Sequence, residues 1–163
     1  MPRYIVAGGT DIKTGEPVHN TGSTLTSGAT DVNTMVLAAA DTPVIGTHNW
    51  GGIANKDSKN AAAGTVLEQW LPVAIPVPHI GRIRGHAKVS LSVDTLTELA
   101  LIVGDKSLIY YNATGGADGG EAYSIYNVAS ADVNGLTIVG GNTALNSLDA
   151  IVDARAYAKD ITN

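Results

Sequence analysis

Four histidines, His19, His48, His79 and His86, are the groups in this chain best placed by type for proton transfer or metal ligation. No two of them stand four residues apart, and no His-Glu-x-x-His occurs, so the spacing that sets two imidazoles on one helical face over zinc is missing. His48 sits beside Asn49 and Trp50 and could line a pocket; capping a turn is the plainer reading. Asp118 and Glu121 lie in a glycine-rich stretch, but without the dense carboxylates that a calcium loop needs, so the stretch reads as a hairpin tip. Gly104-Asp105-Lys106-Ser107 lacks the glycine that precedes the lysine of a phosphate loop. No Gly-x-Ser-x-Gly elbow is present, and no Ser/His/Asp set stands out. The expectation is a protein that is not an enzyme, with no catalytic residue, no metal site and no cofactor.

Contact chemistry has more material. Trp50 and Trp70 are large apolar groups in a chain without phenylalanine. Each reads as core packing or as an anchor at an interface, where Trp is enriched. Arg82, Arg84 and Lys88, with His86, share one face of an alternating run. That face is either solvated or suited to an acidic protein surface. Tyr110 and Tyr111 are consecutive, so on a regular strand they point to opposite sides, and one of them is available for an outward contact. Arg3, Tyr4, Ile5 and Val6 open the chain with an apolar, strand-forming cluster. These ten residues, Arg3, Tyr4, Ile5, Val6, Trp50, Trp70, Arg82, Arg84, Tyr110 and Tyr111, are the expected partner contacts.

The elements that must position them read as β. From Leu99 to Gly116 an apolar run, a polar turn, a second apolar run and a glycine-rich turn suggest a ribbon, with strands at Leu99–Val103 and Leu108–Tyr111. Between Ile80 and Val93, Ile83, Gly85, Ala87, Val89 and Leu91 alternate with Arg82, Arg84, His86, Lys88 and Ser90, the period of a strand with one wet face. Met35–Ala39, Thr42–Gly46, Thr65–Ile75, Tyr123–Ala129 and Leu136–Val139 read as further extended segments. Near the C-terminus a short helical turn capped by Thr143, followed by a strand, is the favoured reading. No exact repeat is visible. Residues 1–34 are poor in apolar groups and rich in turn formers, and read either as an extended arm that orders against a partner or as loops packed on the same domain. The predicted fold is all-β: a small barrel or sandwich of antiparallel strands over residues 35–163, an extended N-terminal arm over 1–34, and at most one short helix.

Composition narrows the partners. The chain has 163 residues, a net charge of −5 and only 15% charged residues, where about a quarter is usual. Scarce charge suits a protein whose surface meets other protein. Basic residues are scattered apart from the group at 82–88, which argues against nucleic acid as partner. There is no cysteine, which suits assembly in a reducing cytosol. No apolar stretch approaches the roughly 20 residues of a membrane helix, and the start lacks a signal-peptide pattern.

The segments Gly51-Gly52-Ile53-Ala54-Asn55, 62–66 and 70–77, the stretch 104–116 and the closing 149–158 resemble small decoration, or cement, proteins of tailed-bacteriophage capsids. The resemblance covers roughly residues 44–158; the long N-terminal segment and an extra loop at 117–135 depart from it. It implies a virion structural protein on the outer capsid surface, assembled in the host cytoplasm. It would contact the major capsid protein and itself, as a homotrimer, and would clamp neighbouring capsid subunits. A carbohydrate- or receptor-binding β-module of a head fibre or tail-associated protein is the alternative, with Trp50, Trp70 and the tyrosines as stacking platforms.

Overall fold

The computed structural model describes residues 3–6, 12–20, 34–37, 43–45, 50–57, 70–88, 93–111, 123–128 and 134–157. They hold ten strands, one α-helix and two short 3-10 turns. The chain divides into two compact units, one of Met1–Ala38 with Asn49–Ile75, the other of Ala39–His48 with Pro76–Asn163. The division expected at residue 34 does not coincide with these units.

The first unit contains β1 (Arg3–Val6), β2 (Pro17–Asn20), β3 (Thr34–Leu37), β4 (Trp50–Ala54) and β5 (Trp70–Ala74). They close into a ring in the order β1-β3-β2-β4-β5 and back to β1. Residues 3–6 and 17–20, expected in an extended arm, are therefore barrel strands with a neighbour on each side. Ile12, Val18, Trp50, Ala54 and Val73 are buried here.

The second unit contains β6 (Arg82–Ala87), α1 (Leu96–Ile102), β7 (Lys106–Tyr111), β8 (Tyr123–Asn127), β9 (Leu136–Asn142) and β10 (Ser147–Val152). Its ring runs β6-β8-β7-β9-β10 and closes on β6. Ile83, Ile109, Ile125, Leu136, Ile138, Leu148, Ala150 and Val152 fill it. The expected all-β architecture with one short helix is present, as two five-stranded barrels. Strand pairs are antiparallel except β1/β3 and β6/β8. A ring with an odd number of strands cannot alternate direction all the way round, so one parallel neighbour pair in each is the minimum.

The two rings share more than strand order. Arg3 pairs with Pro72 as Arg84 pairs with Asp149. Ile5 pairs with Thr34 as His86 with Ser124. Val18 pairs with Leu37 as Ser107 with Asn127. Pro17 pairs with Ile53 as Lys106 with Thr137, and Ala54 with Val73 as Ile138 with Ala150. One residue-to-residue correspondence thus satisfies all five ladders. The turn before the second strand of each ring repeats as well. Gly15 N donates to Ala54 O at 2.8 Å, and Ala54 N donates to Glu16 O at 2.8 Å. Gly104 N donates to Ile138 O at 2.9 Å, and Ile138 N donates to Asp105 O at 2.9 Å. Gly15 and Gly104 have φ of +91° and +97°, with open space where a Cβ would stand, so glycine serves the backbone angle there rather than close packing. The chain is a tandem of one barrel plan.

One expected strand is a helix. Leu99–Val103 forms the second half of α1 and the turn after it. Thr95 starts the helix with a reciprocal capping box: Glu98 N donates to Thr95 Oγ1 at 3.2 Å, and Thr95 N donates to Glu98 Oε2 at 3.0 Å. These bonds satisfy backbone donors that a helix start leaves orphaned. Ile102 is buried and Leu99 half-buried, so the apolar spacing that counts is three residues, not two. The Leu108–Tyr111 half of the ribbon lies within β7 as expected. Near the C-terminus a 3-10 turn at Thr143–Leu145 precedes β10, and its cap is Asn142 rather than Thr143, with Leu145 N donating to Asn142 Oδ1. Of the strand expected at 42–46, residues 42 and 46 lie outside the described residues, and 43–45 carry a single bridge, between Val44 and Asn134. The segments 38–39, 65–69, 89–92 and 129 of the expected strands lie outside the described residues.

Candidate functional site: an outer face of the second barrel

A closed barrel sorts alternate residues inward and outward. On β6, Ile83 and Ala87 are buried while Arg82, Arg84 and His86 are exposed. On β8, Ile125 is buried between half-buried Ser124 and Tyr126. On β7, Ile109 lies opposite Ile125 in the core, and half-buried Tyr110 lies opposite Ser124. His86 also lies opposite Ser124, from the other side. The outward residues of three adjacent strands therefore form one face, His86 and Arg84 on β6, Ser124 and Tyr126 on β8, Tyr110 on β7.

Lys88 completes it. Its backbone N donates to Ile125 O at 2.9 Å where β6 ends. Its Nζ lies 4.1 Å from the Tyr110 ring centre and 4.6 Å from that of Tyr126. The two rings meet edge to face, 6.1 Å apart at 87°. An ammonium over such rings is held by their negative faces, worth about 0.5–1 kcal/mol where solvent reaches.

Arg84 anchors the other side of the face. Its Nε donates to Asp149 Oδ1 at 2.6 Å and its Nη2 to Asp149 Oδ2 at 2.9 Å, from the directly opposite position on β10. The hydrogen bond from Arg84 holds the Asp149 carboxyl below its ordinary range, aided by the charges of Arg84 and Arg82. The Asp149 side chain is 10% exposed and that of Arg84 55%, so the acid orients a guanidinium that still faces solvent. The fork geometry is the one that reads carboxylates two oxygens at a time. This face can recognise anions and aromatic or amide edges.

The structure brings Arg82, Arg84 and Tyr110 of the expected contacts to this one barrel surface. Trp50 is corrected: it is 1% exposed, because its ring fills the first barrel's interior, so it is neither an interface anchor nor a stacking platform. Arg3, Tyr4, Ile5 and Val6 form β1, Trp70 stands on β5 opposite Ile5, and Tyr111 on β7 opposite Tyr123. Tyr126 and Asp149 escaped the sequence reading. Tyr126 sits two residues beyond Ser124 on a predicted strand; the missing fact was that β8 lies between β6 and β7. Asp149 needed the β6/β10 register. Among the described residues no group of three or more His, Asp or Glu side chains is arranged to hold a metal ion. The sites weighed at His48 and at Asp118 with Glu121 lie outside the described residues. No family model matches the chain, and no curated protein matches it.

Proposed function

We propose that this protein is a structural component of a phage virion, a decoration subunit that binds the outer capsid surface and braces contacts between major capsid protein subunits. The carrying observation is the rigid cationic and aromatic face of the second barrel, built on paired strands rather than loops. Cement chemistry needs many identical, modest contacts that add up over a lattice. Arg84, Arg82 and Lys88 supply those contacts to acidic neighbours, on a chain whose net charge is negative. Closed barrels also leave no open sheet edge, so copies crowded on a shell do not pair strands with each other. Docking then runs through side chains, not through an arm added as a strand, since β1 already has a neighbour on each side. In this reading the subunit assembles in the host cytoplasm and sits on the shell as a homotrimer.

Carbohydrate binding is the weaker reading. Trp50 is unavailable, and Lys88 Nζ occupies the ring faces on which a sugar would stack.

The test is uptake from solution by expanded, undecorated phage heads. Saturable uptake at a fixed ratio to the major capsid protein, with a higher head-disruption temperature, is expected. Uptake that never saturates, or none, overturns the proposal.

A further inference from the structure

In the second unit six large apolar side chains are exposed among the described residues, Val77, Ile80, Leu96, Leu101, Val103 and Leu145. Scattered singly they would need no explanation, but they gather at two places. Val77 and Ile80 stand on the turn 76–81, just before β6. Leu96, Leu101 and Val103 belong to α1 and its C-cap. Leu145 closes the 3-10 turn, whose cap residue Asn146 accepts through Oδ1 from Val93 N at 3.2 Å, shortly before the helix starts. β10 runs from Ser147, opposite His86, to Ile151, opposite Arg82. The turn 76–81 and the pair Leu96 and Leu145 therefore sit at opposite ends of the same barrel.

The turn holds its apolar tip in one place. His79 N donates to Val152 O at 2.9 Å, Gly81 N to Val77 O at 2.6 Å, and Tyr157 Oη to Pro76 O at 2.8 Å. Pro76 and Pro78 fix two further backbone angles. His79 stands at φ +61°, a conformation that persists only where the surroundings impose it. This frame holds out Ile80, 76% exposed, while Leu96 at the other end is 77% exposed. A rigid apolar tip has little freedom left to lose on docking. Charge then separates the two ends. Arg82 follows Ile80 by two residues, and Asp94 precedes Leu96 by two. Both are exposed, and neither makes a hydrogen bond or ion pair among the described residues. One end is apolar with a cation at its edge, the other apolar with an anion, the arrangement of an interface with an apolar centre and a polar rim.

We propose that copies of this chain associate head to tail: the Val77–Ile80 turn of one copy docks on the Leu96 and Leu145 surface of the next, with Arg82 against the neighbour's Asp94. The occupant is a second copy because the two surfaces match in apolar character and are opposite in charge. Pairing like ends would gather cations with cations or anions with anions. A contact between unlike surfaces leaves one of each kind free, so it repeats, and it closes into a ring where the rotation between copies allows. The inference does not rest on the capsid reading; it supplies the copy-to-copy surfaces which that reading leaves open.

Sedimentation velocity of the full-length protein over a range of concentrations tests it, with Ile80→Asp and Leu96→Asp as variants. Wild type is expected to exceed the mass of one chain as concentration rises. Each variant alone is expected to associate roughly 30-fold more weakly, the effect of losing a central interface residue. A one-to-one mixture of the two is expected to form a dimer and nothing larger, because each partner keeps the surface that the other lacks. Melting temperatures verify folding, and Ile80→Ser or Leu96→Ser stands in for a variant that fails to fold. Wild type that stays monomeric, a variant that associates as wild type does, or a mixture without dimer overturns the proposal. Monomeric wild type that still coats heads overturns it and leaves the decoration role intact. Association without uptake by heads overturns the decoration role alone.

Discussion

Ser107 stands in the interior of the second barrel, 0% exposed, and its hydroxyl has no hydrogen-bond partner among the described residues. The matched residue of the first barrel is Val18, equally buried. A buried hydroxyl without a partner costs about 1–3 kcal/mol. Ser107→Val is therefore expected to raise stability by about 1 kcal/mol once some crowding is allowed for. A urea midpoint that moves down rather than up would contradict this. Asp149 gives the opposite kind of residue. Its carboxyl titrates lower in the folded chain than the unfolded value of about 3.9, so its contribution is present above that pH and is lost as pH falls through the folded value. Asp149→Asn should lower stability at pH 7 by about 1 kcal/mol, the low end for a charge-assisted bond because Arg84 is half in solvent. The gap between the two proteins should close below about pH 4; a gap that persists there means the carboxylate charge is not what Arg84 holds. Residue types were legible in sequence and their neighbours were not. Arg82 and Arg84 declared a polar face, but only the register shows Arg84 opposite Asp149. Trp50 could be core or anchor until the ring closed around it.

Elements were legible where period decided and hidden where local bonds did. Ile83, Gly85 and Ala87 against Arg82, Arg84 and His86 gave β6 directly. Leu99 to Val103 has the composition of a strand, yet the capping box at Thr95 and Glu98 starts a helix just before it; Thr-x-x-Glu ahead of an apolar run was the available signal. The tandem was invisible because little identity survives. Among matched positions only Arg3 and Arg84, Gly15 and Gly104, Gly51 and Gly135, and Leu71 and Leu148 agree. Loops of different length then break any fixed period. The shared turn makes a paired prediction. Gly15→Ala and Gly104→Ala each force a side chain into positive φ with nothing nearby to clash, so each should cost about 1–2 kcal/mol, by similar amounts. Thermal melts of the two variants check this, and an unchanged midpoint in either removes the backbone argument for that turn.

At the scale of the molecule, two barrels of one plan make a scaffold whose described surface offers recognition groups on rigid strands. Composition pointed the same way, through scarce charge and a single basic cluster. What composition could not show is that the basic cluster shares a surface with Tyr110 and Tyr126. The functional account turns on one claim, that this face binds a repeated protein shell. Its most direct test is the copy number of the protein in purified virus particles, by quantitative mass spectrometry against the major capsid protein. The account predicts a fixed stoichiometric ratio, in hundreds of copies per particle as a lattice requires, on the order of one binding chain or more per capsid subunit cluster. Absence from particles, or a handful of copies as a fibre or tail protein would give, would contradict it.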